Sequence, residues 1–375
     1  MLATHSGRLE RWLGKELVEE LSTAMKDWYG PPIAVANVPG DIWACKGGDF
    51  RGRIAAGQMS PLVDYYEQRV RRIIREASRR QLYSLHAGFS SLDDLITEAT
   101  GGGKRRDFVF QKNGATGTQT GQTTSEWHNG ASPAAAAAPS GAPGGDAPDR
   151  TTTGAFPFNN PTGGDTQHFV GARVGSLANS SPTLATVMLY DRLFQVGITM
   201  NSTTAESVTG VPTRYQSSTR SDPNFAGGNF AFPEVRTVLS NTAHNWTVCR
   251  YRDQDNNDTI SFPSAAGVNL ANQSRIDLAN PNWFMPLAAG DDGVKDLDQI
   301  QSDAAIVSGA INWVIGHPIA FMPLPAVTGL LENDGIVTAF NLVRIFDDAA
   351  LALLNMFRDT NSATTLHGYF TTVSG

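Results

Sequence analysis

Ala134-Ala135-Ala136-Ala137-Ala138-Pro139-Ser140-Gly141-Ala142-Pro143-Gly144-Gly145 is the centre of a stretch, residues 111–153, composed almost wholly of Gly, Ala, Ser, Thr, Pro, Asn and Gln. Such a stretch has little apolar side chain to bury and too many helix breakers to form a long helix, so its composition reads as an extended tether. It splits the chain into an expected helical head, residues 1–110, an extended linker, residues 111–153, and a β domain, residues 154–375. A segment of this kind that is ordered must lie against something, and the expected support is a neighbouring subunit.

The head carries helical periodicity. Leu9, Trp12, Leu13, Leu17, Leu21, Met25 and Trp28 recur every three or four residues, which predicts an amphipathic helix over 7–28 that Gly30-Pro31-Pro32 ends. Ser60-Pro61 caps a second predicted helix, 61–82, whose apolar stripe is Val63, Tyr66, Val70, Ile73, Ile74 and Ala77. A third short helix fits 91–99 and stops at Gly101-Gly102-Gly103. The second helix presents Arg69, Arg71, Arg72, Arg75, Arg79 and Arg80 with only Glu76 among them. Arg69, Arg72, Arg75, Arg79 and Arg80 are the candidate partner contacts. An acidic protein surface and nucleic acid are two readings of this stripe, and a solvated face paired with Glu16, Glu19 and Glu20 is the plainer one.

The region after the tether changes character. Short β-branched or alternating runs recur with turn residues between them, at 168–175, 183–190, 193–200, 205–211, 230–240, 245–252, 258–263, 282–287, 297–303, 306–316 and 365–373. The clearest hairpin is Trp246-Thr247-Val248-Cys249-Arg250-Tyr251, an Asx-rich turn, and Thr259-Ile260-Ser261-Phe262. One helix is expected near 348–357, where Asp347 or Asp348 precedes Ala349-Ala350-Leu351-Ala352-Leu353-Leu354. The fold class is therefore α+β, with a small helical N-terminal domain and an antiparallel β-sandwich or jelly-roll-like C-terminal domain. Phe156, Phe158, Phe169, Phe225, Phe230, Phe232, Trp246, Trp283, Phe284 and Trp313 read as sandwich core rather than as a sugar platform.

Composition limits the chemistry. The net charge is −7, and residues 151–375 hold 11 Lys and Arg against 19 Asp and Glu, a balance that disfavours nucleic-acid binding. Cys45 and Cys249 form neither a disulfide framework nor a metal cluster. There is no 18-residue apolar run and no signal-peptide core, so no membrane association is expected. Gly103-Lys104 lacks the spacing of a phosphate loop, with Glu98 and Arg105 at the positions that matter. Asp253-Gln254-Asp255-Asn256-Asn257 starts like a calcium loop, but Asp258 stands where Gly is needed and Ser264 where the bidentate Glu is needed. Asp291-Asp292 and Asp347-Asp348 are acidic pairs with ordinary turn and cap explanations, and the seven His are scattered, His317 reading as a structural hydrogen-bonder. No catalytic, cofactor or metal site is expected, and the chain reads as non-enzymatic.

Several short motifs stand in a recognisable order. They are Thr153-Gly154-Ala155-Phe156-Pro157-Phe158-Asn159-Asn160-Pro161, then Ala172-Arg173-Val174, and Val187-Met188-Leu189-Tyr190-Asp191-Arg192-Leu193. Pro286-Leu287-Ala288-Ala289-Gly290-Asp291-Asp292-Gly293-Val294-Lys295 follows, then Pro323-Leu324-Pro325 and Arg344-Ile345-Phe346-Asp347-Asp348-Ala349-Ala350-Leu351. The order resembles poorly characterised virion structural, head-associated proteins of tailed bacteriophages and prophages, over roughly residues 150–375. The resemblance implies no catalytic residues and no cofactor. It implies a particle component, assembled in a host bacterial cytoplasm, whose partners are capsid subunits and further copies of itself. A capsid cement or decoration protein is the first expectation. A major capsid protein of the common tailed-phage fold and a tail or receptor-binding component are the alternatives.

Overall fold

The structure is a computed structural model and describes residues 89, 92–101, 103–114, 122–177, 185–200, 203–279, 281–306, 308–324, 330–334, 343–357 and 365–375. The chain divides into two compact units, Met1–Asp94 and Leu95–Gly375. The expected helices 7–28 and 61–82, and with them Arg69, Arg72, Arg75, Arg79 and Arg80, lie outside the described residues. The third helix is present as α1, Leu92–Thr100. Gly101 ends it by donating its N–H to Thr97 O at 2.9 Å, satisfying one of the carbonyls a helix end leaves open.

The second unit is mostly antiparallel β-structure. One sheet has the order β14 (Leu330–Asp334), β4 (Gln167–Leu177), β17 (Thr365–Ser374), β1 (Arg105–Lys112), β3 (Ala131–Ser132), with β15 (Arg344–Ile345) also on β4. The central sheet runs β2 (Thr123–Ser125), β16 (Leu351–Phe357), β5 (Ala185–Ile198), β13 (Ala310–Leu324), β7 (Phe230–Thr237). A third sheet runs β10 (Ile260–Ser261), β9 (Arg250–Asp253), β12 (Val294–Ile300), β6 (Glu206–Ser207), and β8 (Asn245–Trp246) pairs with β11 (Ala265–Ala266).

Two apolar cores flank the central sheet. On one side Val187 and Leu189 of β5 and Leu351 and Leu353 of β16 meet Phe110 of β1, Val174 of β4 and Phe370 of β17. On the other side Met188 and Tyr190 of β5, Ala352 and Leu354 of β16 and Trp313 of β13 meet Tyr251 of β9 and Leu297 of β12. The central sheet is thus the middle layer of three. Its strands must be apolar at both parities, unlike a strand with one wet face.

That requirement corrects the expected helix near 348–357. Ala349 to Leu354 is continuously apolar because both faces of β16 are buried, and each of these six side chains is at most 2% exposed. Apolar runs of this length do not separate strand from buried helix by periodicity. Asp348 takes a positive φ of 59°. It accepts hydrogen bonds from Arg150 and Asn160 and turns the chain into the strand rather than capping a helix.

The expected domain boundaries also shift. Residues 105–112, which the sequence reading divides between the helical head (105–110) and the linker (111–112), form β1, paired with β17 from Arg105↔Val373 to Lys112↔Leu366. The described part of the expected linker belongs to the second unit: Gln122 to His128 are all buried, and β2 pairs with β16. The Ala/Pro/Gly run continues as a surface strap whose support is its own chain. It bridges Gly141 to Gly197 and Asp146 to Gln195 of β5. Along it the partly buried positions are 133, 136, 139, 142 and 145, the three-residue period of polyproline II.

Small residues are needed there because backbone lies directly on backbone. A Cβ at Gly210 would sit 1.8 Å from Gly144 O, and one at Gly145, where φ is +68°, would sit 2.5 Å from the Phe194 ring.

The Trp246–Phe262 hairpin forms as read, with Ile260↔Tyr251 and Ser261↔Arg250. The two runs 183–190 and 193–200 are one strand, β5, whose phase shifts at a bulge opposite Ile315 and Gly316. β13 continues through Pro318 to Leu324 with a second bulge between Pro318 and Ala320, the usual accommodation of a ring that cannot donate to the ladder.

Candidate functional site

The densest set of ionisable groups lies on and beside the central sheet. It is built from three places in the chain: the strand-to-strap segment Lys112–His128, β5 at Tyr190–Gln195, and Glu234 of β7. Arg192 holds Glu234 in a fork, Nη1 donating to Oε1 at 3.2 Å and Nη2 to Oε2 at 2.7 Å. Nε of Arg192 donates to Gln195 Oε1 at 2.9 Å, and Nη1 also reaches the Tyr190 hydroxyl at 3.2 Å. The guanidinium lies 4.7 Å from the centre of the Trp127 ring, a cation–π contact. His128 Nε2 is 3.0 Å from Glu234 Oε2, and its Nδ1 donates to Ala136 O of the strap at 3.2 Å.

A second carboxylate sits nearby. Glu126 accepts from the side-chain amides of Asn129 and Asn355 and, at 3.5 Å, from the Thr124 hydroxyl. Lys112 faces it and donates to Asn129 O at 3.0 Å. Burial pushes the Glu126 carboxyl up to about 7, against the pull of those hydrogen bonds. Burial likewise lowers the Lys112 ammonium to about 8. Glu234 differs. Burial alone would raise it, yet Arg192 and His128 hold it well below the usual carboxylate range.

A third pair ties the strap to this layer. Arg214 grips Asp191 in the same forked manner, at 2.9 and 2.8 Å, and donates to Pro148 O at 3.0 Å. Asp191 also accepts the Ala350 N–H at 2.8 Å. Lys112, Glu126, His128, Arg192 and Glu234 are each at most 6% exposed. Charges desolvated this far are stable only as paired, hydrogen-bonded sets. What these groups do is lock β1, β2, β5, β7, β16 and the strap in one arrangement and hold a proton near neutral pH.

The groups singled out in the sequence have local roles. Both carboxylate oxygens of Asp253 are taken by its own loop, from Asp255 N, Asn257 N and Asn257 Nδ2, so the calcium-like run is an Asx turn. Among the described residues no group of three His, Cys, Asp or Glu is placed to hold a metal ion. Asp291 accepts from the Tyr251 hydroxyl at 2.6 Å, whereas Asp292 pairs with Arg220 at 2.7 Å.

His317 is a structural hydrogen-bonder. Both amide hydrogens of Asn229 go to carbonyls, so Asn229 Oδ1 accepts from His317 Nδ1 at 2.8 Å, and burial takes the imidazole down to about 3. Cys249 is buried, and burial pushes its thiol up to about 12.

Of the ten aromatics read as core, Phe156, Phe158, Phe169, Phe230, Phe232, Trp246 and Trp313 are buried, Phe225 and Trp283 are half-buried and Phe284 is 43% exposed.

No protein-family model matches the sequence, and no curated protein matches it. Among solved structures the chain is similar to that of infectious bursal disease virus Gt strain, at 8% identity over 72% of this chain and 80% of that one, with a TM-score of 0.16. A crystal structure of the infectious bursal disease virus VP2 subviral particle gives 10% identity, 72% and 80% coverage and a TM-score of 0.17. Superpositions this loose carry no information about role.

Proposed function

We propose that this chain is a non-enzymatic structural protein of a tailed-phage virion, a cement or decoration protein that stabilises the head. The observation that supports this reading is the meeting of three of the resembling motifs at one place. Phe156 N–H donates to Leu351 O at 2.9 Å, Arg192 N–H donates to Ala350 O at 2.9 Å, and Asp191 receives Ala350 N–H. These three motifs are therefore joints of the layered core, as expected if the resemblance is one of architecture. The charged groups are spent on those joints, which suits a protein that works by contact and repetition.

The test is particle composition. Virions purified from the source lysate should contain this chain at a copy number commensurate with the shell. Shells assembled without it should form and then rupture at a lower temperature. If no shell forms without it, the chain is the major capsid protein instead. If virions lack it, the virion reading fails. The rival tail-component reading draws on Phe284 and predicts binding to host polysaccharide.

A further inference from the structure

The β14–β3 sheet has two unequal edges. At one end β3 covers only Gln111 and Lys112 of β1, because Pro133 follows at once and has no N–H to extend the ladder. Arg105 to Phe110 thus have no backbone partner on that side among the described residues. This stretch carries Val109, 72% exposed, the most exposed large apolar side chain of those described. Long open edges of this kind recruit another strand. At the other end β14, Leu330–Asp334, is likewise paired on one side only among the described residues.

We infer that the open part of β1 pairs with β14 of a second copy of this chain, so that the sheet continues from copy to copy. Direction supports this. β14 is antiparallel to β4, β4 to β17 and β17 to β1, so three reversals leave β1 and β14 antiparallel. A copy in the same orientation therefore presents its β14 antiparallel to β1. Charge supports it too. Antiparallel pairing sets Arg105 opposite Asp334 and Phe108 and Val109 opposite Leu331 and Leu330, while Asp107, which falls opposite Glu332, is already paired with Arg105 of its own strand. The two-fold alternative, β1 on β1, opposes the arginines to Phe108-Val109-Phe110. Lengths agree at six residues against five. The contact is head-to-tail, so it builds rings or open arrays rather than a closed dimer.

The inference deepens the virion reading by naming the self-contact and rests on it only for its setting. The experiment uses the full chain in sedimentation velocity, as wild type, as R105E/R106E and as E332R/D334R. Wild type should assemble with concentration. Each variant alone puts like charges at both edges and should assemble at least about tenfold more weakly. An equimolar mixture of the two variants should regain assembly, since each acidic β1 then meets a basic β14. Circular dichroism and melting of each variant separate misfolding from a lost contact.

A wild type that stays monomeric to about 100 μM overturns the inference, as do variants that assemble as tightly as wild type or a mixture that stays apart. Unaffected assembly in a chain that is found in virions removes this contact and leaves the virion reading standing. Charge-swapped rescue in a chain absent from virions does the reverse.

Discussion

Glu126 is the residue whose environment has the clearest consequence in solution. Its carboxyl titrates near 7 when folded and near 4.5 when unfolded. Between those values the folded state keeps a proton that the unfolded state has lost, so stability falls as pH rises through that window. Above about 7 the full cost, on the order of 3 kcal/mol, is present. Asp296, raised by burial to about 6, adds the same sign at lower pH. His244, raised by Asp277 against its burial, adds the same sign above 6.5. Lys112 gives the opposite slope only above about 8. Melting curves from pH 5.5 to 8 should therefore fall in wild type, and Glu126→Gln should flatten the part between 5.5 and about 7. Parallel curves would contradict this account of Glu126.

At the same scale, removing Arg192 or Glu234 alone should cost about 3–5 kcal/mol in urea denaturation, because the partner is left charged and dry. Replacing both with apolar residues should cost less than either single change. None of this network was legible in the sequence. Lys112, Glu126, His128 and Glu234 lie in polar or mixed stretches, and residue type alone does not mark a charge as buried. The signal that was available is Asp191-Arg192 inside the apolar run Val187–Val196, where a charged pair has to find internal partners.

At the scale of elements, the sequence was most readable where strands have one wet face or a marked turn. The Trp246–Phe262 hairpin, β4 and β17 follow from alternation and marked turns, and β7, buried from Phe230 to Val235, from its aromatic and β-branched content. It misled where burial is two-sided. β16 read as a helix because both its parities are apolar, and β2 read as linker because Thr123-Thr124-Ser125 is polar yet wholly buried. The strap misled for a different reason, since small residues signal close backbone approach as well as flexibility. Gly210→Val should therefore destabilise the fold by about 2 kcal/mol or more, because its first carbon already collides with the Gly144 carbonyl. Substitution of exposed Ala135 with Ser should stay within about 0.5 kcal/mol. Equal losses at both positions, read by thermal melts, would show that the strap is not held where the structure puts it.

At the scale of the whole molecule, Leu95–Gly375 is a layered β unit whose joints are buried ion pairs and whose outer sheet, among the described residues, ends in edges paired on one side. Its motif order resembles virion proteins, and its densest set of ionisable groups is paired in the interior. These features together suit a repeating contact protein. The most direct measurement of that claim is a cryo-electron-microscopy map of the intact particle. The account predicts density for the three-layered β unit at symmetry-related sites of the head shell, in many copies. A shell fully explained by other chains, with this one absent, would contradict it.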